Sequence, residues 1–174
     1  MGAAVGPAVD AAYDAAPWSD FAAGMAGAAA ALAGLLFVAV SINIQAVLAH
    51  RAIAGRAAES LILLATPVFV SLALLVPAQP AAALAVELFV VAGVAGPSLA
   101  WLSRPANRAP EQPVVSWVGT SLVPAAVLAF APALAGIGLL TGTLGGLYWL
   151  PLAVAFALIG GLVNAWALLV EILR

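Results

Sequence analysis

The chain has 174 residues, of which 66% are hydrophobic and 7% charged, with a formal net charge of -2, one histidine and no cysteine. That is too little polar surface to solvate a globule of this size, so the expected solvent is a lipid bilayer. The missing cysteines exclude disulfides, thiolate metal sites and a cysteine nucleophile, and one histidine argues against a zinc or di-iron centre, so no metal and no cofactor is expected.

Only helices and closed barrels satisfy every backbone group in lipid, and the apolar runs here are continuous rather than alternating. The expected class is therefore an all-α integral membrane protein, a bundle of five transmembrane helices. Residues 1–22 read as a short acidic extracytoplasmic tail with Asp10, Asp14 and Asp20 and no basic residue. It lacks the positive n-region of a secretory signal. A surface helix from Ala8 to Ala16, ending before Pro17, and plain disorder both remain open for this tail.

Residues 23–174 form the transmembrane domain, with spans expected at about 24–48, 59–76, 80–102, 114–140 and 147–173. The first span changes character midway: its first half is nearly all Gly and Ala, and its second half carries Ser41, Asn43 and Gln45. One stripe reads Gly27, Ala31, Gly34, Val38, Ser41, Gln45 at steps of three and four. Small residues there allow close helix approach, and the polar ones call for protein or water rather than lipid. A compact loop with His50, Arg51 and Arg56 is expected next, where His50 is either a solvated residue or a cytoplasmic pH sensor. Pro77 stops the second span, and a tight turn leads into the third. Pro124 and Pro132 interrupt the fourth span, and the Gly-rich stretch GIGLLTGTLGGL turns the chain into the fifth.

Five spans put the termini on opposite sides. Arg51 and Arg56, Arg104 and Arg108, and Arg174 then all fall on one side, which the positive-inside rule makes cytoplasmic. This gives an N-terminus outside and a C-terminus in the cytoplasm. Trp18 and Trp149 at outer ends, with Trp101, Trp117 and Trp166 at or toward inner ends, fit the same arrangement as aromatic belts. The absence of lysine and the abundance of Ala and Val suggest a GC-rich bacterial genome.

Candidate sites are the polar groups at membrane depth. Glu87 lies about seven residues into the third span, beyond reach of any arginine, with Ser71, Tyr148 and Trp149 at similar depth. It is a proton or cation site, a protonated acid hydrogen-bonded between helices, or an acid close enough to the interface to stay wet. Toward the inner side lie Ser41, Asn43, Gln45, Glu59, Asn164 and Glu171. Asn43 and Gln45 point in nearly opposite directions, which a homo-oligomer explains if Ser41 and Gln45 face its axis and Asn43 faces Asn164 within the subunit. The same amides could instead simply clamp helices together. Glu59 pairs with Arg56 at i, i+3, as at a wet helix start.

No phosphate loop, H-E-x-x-H or G-x-S-x-G element is present, so an enzyme is not expected, and five arginines do not suggest nucleic-acid binding. The block WSDFAAGMAGAAAALAGLLFVAVSINIQAVL, followed by RAAESLILLATPVFVSLALLVPAQ, resembles a family of small actinobacterial multispanning proteins labelled modulators of the FtsH protease. That resemblance implies a bacterial inner-membrane protein with a membrane-protein partner; the chain has five expected spans where the protease modulators have seven. More faintly, the small-residue first span is similar to the pore helix of Orai-type channels, with Ser41, Asn43 and Gln45 where a selectivity glutamate would stand. Two functions are therefore expected. One is a homo-oligomeric channel or permeation pathway for an ion or small solute, lined by the first span. The alternative is a non-catalytic regulator or scaffold that binds a larger membrane protein such as a membrane protease.

Overall fold

The computed structural model describes residues 11–108 and 113–172, and these are helical with no strand among them. We number the regular helices α1 (Ser19–Ile42), α2 (Ile44–Ala49), α3 (Arg51–Leu74), α4 (Ala81–Leu102), α5 (Val114–Trp117), α6 (Val123–Thr141) and α7 (Trp149–Ile172). Five stretches are long and apolar enough to cross a membrane: Ala16–Ile42, Arg51–Leu74, Ala81–Leu102, Val114–Thr141 and Gly146–Val170. They correspond to α1, α3, α4, α5 with α6, and α7.

Local chemistry sets where the helices break. α1 ends at Ile42 because Asn43 leaves the helical region (φ -107°, ψ 23°) and turns its Nδ2 back to donate to Ala39 O at 2.9 Å. Such short amides offer the backbone an alternative to the helical ladder. The first span therefore starts earlier than expected, at Ala16, and is broken six residues before residue 48. The second helix begins at Arg51, eight residues before the expected start at Glu59, and only His50, with an extended backbone (φ -129°, ψ 114°), separates it from α2. Alanines at 52, 54, 57 and 58 are strong helix formers, and they carry the helix through a stretch that the charges of Arg51, Arg56 and Glu59 make look like a loop. The fourth span is one continuous run in which a π turn at Val118–Leu122 joins α5 to α6. It ends at Gly142, whose left-handed conformation (φ 64°) lets its N–H donate to Gly138 O at 2.8 Å.

α3, α4, α6 and α7 form a ring in which α4 lies against α6, α6 against α7, α7 against α3, and α3 against α4. Leu63, Leu99, Leu128 and Ala157 fill its middle, and Leu84, Leu88, Leu147 and Leu150 fill the end that carries Trp18 and Trp149. α1 stands outside the ring, packed along α3 and only briefly touching α7. In its most apolar stretch 11% of residues are buried, against 61% in α3. In a bilayer, where lipid is as apolar as leucine, such a ring would be held by close packing rather than by a hydrophobic gain.

The segment before α1 also packs. Residues 11–13 are helical, Asp14 Oδ1 accepts from Ala16 N–H at 3.0 Å, and Trp18 Nε1 donates to Ala11 O at 2.7 Å. Ala12 O rests on Gly146, where a side chain would not fit, and Trp18 meets Tyr148 edge to face at 5.1 Å. The helix at this point ends at Tyr13 rather than Ala16; its expected start at Ala8, and the expected role of Asp10, lie outside the described residues, as do Arg174 and the side chain of Glu171.

Candidate functional site

Glu59 lies eight residues into α3, roughly 12 Å along the helix at 1.5 Å per residue. It shares one helix face with Leu63, Thr66 and Val70, all buried, and is itself 5% exposed. A carboxyl there costs several kcal/mol unless it is paired and hydrogen-bonded. Two neighbouring helices supply the partners. Ser103 Oγ, at the C-cap of α4, donates to Glu59 Oε1 at 3.0 Å, and Ser121 Oγ, in the π turn, donates to Oε2 at 3.2 Å. Arg56, one turn earlier on α3, adds electrostatic attraction to the carboxylate.

The π turn brings in a fourth helix. Pro124 has no N–H, so the carbonyl of Thr120, four residues earlier, lacks its helical donor. The wider register around it is seen in Val123, whose N–H reaches back five residues to Val118 O. Asn164 of α7, 2% exposed, fills the vacancy: its Nδ2 donates to Thr120 O at 3.3 Å. α7 can approach because Gly160 and Gly161 precede that amide by one turn. A Cβ on Gly160 would stand 2.6 Å from Pro124 Cγ, and one on Gly161 2.8 Å from Leu64 Cδ2. Two adjacent glycines thus wedge α7 between α3 and α6, and Glu59, Ser103, Ser121, Thr120 and Asn164 form one polar junction across the whole ring. π turns inside α-helices are frequent at functional sites.

The expected pore-lining groups are not part of this junction, Asn164 excepted. Ser41 is exposed and donates to Phe37 O of its own helix at 2.8 Å; Gln45 is exposed; Asn43 is half-buried and bonded to Ala39 O. Asn43 and Asn164 each donate to a backbone carbonyl rather than to each other. Gly27, Ala31 and Gly34 are exposed on α1, and a Cβ on either glycine meets nothing within 4 Å.

Glu87, on α4 at the opposite end, is half-buried, and no hydrogen bond reaches its buried Oε2 among the described residues. Of the residues expected near it, Trp149 Nε1 donates to Leu144 O at 2.7 Å, and Tyr148 meets Trp18 edge to face. A wholly apolar groove of about 200 Å³, lined by residues that include Phe130, Leu134, Trp149 and Leu152, opens between α6 and α7. No cluster of three or more His, Asp or Glu suited to a metal occurs among the described residues.

Sequence reading passed over Ser103, Ser121 and the Thr120 carbonyl. A signal for the last was available, since a proline at i+4 always frees a helical carbonyl. The burial of Glu59 follows from its spacing to Leu63, Thr66 and Val70 once the helix is known to begin at Arg51. Against protein-family models, curated proteins and solved structures, the chain has no match.

Proposed function

We propose that the protein is a bacterial plasma-membrane protein, N-terminus outside and C-terminus cytoplasmic, that self-assembles through its first span into a permeation pathway for an ion or small solute. One observation carries this reading: Gly27, Ala31, Gly34, Val38 and Ser41 lie exposed on the side of α1 turned away from its own ring, and Gln45 on α2 is exposed as well. A small-residue face left open in the subunit, and polar at one end, suits a neighbouring helix better than lipid tails do. Copies of α1 around an axis would cover it and bring Gln45 of each subunit toward a common path.

The hydroxyl of Ser41 is already satisfied on its own helix. This favours a dry helix contact at that level over a wet lumen, and supports a second reading, a non-catalytic regulator or scaffold that docks α1 on a larger membrane protein such as a membrane protease. A cysteine at Ser41 separates the two. Residues at a symmetry axis meet their own copies, so Ser41→Cys is expected to cross-link efficiently to itself in native membranes. Absence of that product in a protein shown separately to be oligomeric removes α1 from the axis.

A further inference from the structure

We infer that the Glu59 junction is a proton-binding site, exchanging with the arginine-bearing end of the bundle, at which proton uptake rearranges the ties among α3, α4 and the π turn. The inference does not rest on the assembly of α1, which contributes no group to the junction. Its basis is the chemistry of the partners. The hydrogen bonds seen at the Glu59 carboxyl among the described residues come from two serine hydroxyls, which can donate or accept. An ionised Glu59 accepts from both, as in the structure. A protonated Glu59 donates its own proton to one serine, whose hydroxyl then turns to the carbonyl four residues back.

That alternative is common in this bundle. Ser41, Ser60, Thr66, Ser98 and Thr120 all donate to the i-4 carbonyl at 2.7 to 2.9 Å. The corresponding carbonyls for Ser103 and Ser121 belong to Leu99 and Trp117. The junction therefore keeps both interhelical hydrogen bonds in either protonation state, reversing the direction of one and adding an intrahelical bond from the serine that accepts the proton. A metal ion is served far worse. Thr120 O is occupied by Asn164, whose donor Nδ2 faces inward, and Arg56 opposes a second cation.

Few other charges enter. α3 contributes Arg51 and Arg56; α4 contributes Glu87 at its other end, and the exposed Arg104 follows Ser103 directly, which puts the junction next to the bundle surface. Arg108 lies further along the segment that follows Ser103, α7 carries one charged residue, Glu171, near its end, and the segments 114–141 and 21–49 carry none.

Infrared difference spectra of the full-length protein in lipid nanodiscs, recorded between pH steps, follow carboxyl protonation directly. A titrating carboxyl band is expected in the wild type and in Glu87→Gln, and its loss in Glu59→Gln. Ser103→Ala and Ser121→Ala keep the acid but remove one hydroxyl each, and should displace the midpoint by about one pH unit, the scale on which hydrogen bonding shifts a carboxyl. Unchanged titration in a folded Glu59→Gln overturns the inference. If that variant fails to fold, unchanged midpoints in both serine variants overturn it equally. A midpoint that moves when sodium replaces choline at constant ionic strength assigns the site to a metal ion instead.

Discussion

Glycines 27 and 34 on α1 and glycines 160 and 161 on α7 occupy opposite surroundings. Around the first pair there is open space for a side chain; around the second, Pro124 and Leu64 stand within 2.8 Å of where a Cβ would be. Gly136 and Gly96 repeat the second situation between α4 and α6, with Phe89 and Ala129 3.0 Å away. Glycine inside the ring is thus used up by contacts already made, whereas glycine on α1 leaves a contact available. Small residues alone do not say which helices a bundle has joined; their neighbours do. The two glutamates divide similarly, Glu59 tied to two other helices and Glu87 holding a buried oxygen without a donor among the described residues.

Leucine placed at each kind of glycine should break this contrast open. Gly160→Leu would drive α7 off Pro124 and is expected to cost about 3 kcal/mol or more, since forcing extra carbons into a packed core typically costs 1 to 3 kcal/mol for far smaller insertions. Gly34→Leu should leave the subunit's own stability within about 0.5 kcal/mol, as for an open surface position, while dissociating any oligomer. Denaturation in micelles, read by circular dichroism beside size measurement, reports both effects. Equal losses of subunit stability would show that α1 is part of the core after all.

A smaller effect sharpens the account of the π turn. Asn164→Ala should cost about 1 to 2 kcal/mol, because the partly buried bond that satisfies the Thr120 carbonyl is lost. In a Pro124→Ala background the new N–H can serve that carbonyl, so the cost of Asn164→Ala should fall by about 0.5 to 1 kcal/mol, a coupling typical of groups sharing one network. A double-mutant cycle of unfolding free energies measures it, and strict additivity would mean that proline and amide are unrelated. The smallest effect expected is that of Glu87→Gln, about 1 kcal/mol or less in either direction, because the amide keeps the size and a hydrogen-bonding oxygen of the acid. A large loss of thermal stability in that variant would reveal a partner for Glu87 as strong as those of Glu59.

Much of the architecture was legible from residues alone. The third span, expected at 80–102 and found at Ala81–Leu102, was marked by prolines on one side and by SRP on the other. The first two spans were harder. Alanine-rich sequence propagates a helix through charges that hydropathy reads as a loop, and a single asparagine at 43 ends a helix that hydropathy would extend to residue 48.

The sequence by itself determined that this is a helical protein with five segments long and apolar enough to cross a membrane, because so few polar residues and such continuous apolar runs leave the backbone only its own hydrogen bonds. Only the tertiary structure decided which polar groups meet. Ser103 and Ser121 lie 44 and 62 residues from Glu59, and Asn164 lies 44 residues from Thr120, so no local spacing links them. They come together because a proline frees one carbonyl and two glycines let α7 reach it, and the stripe on α1 stays open because the ring closes without it.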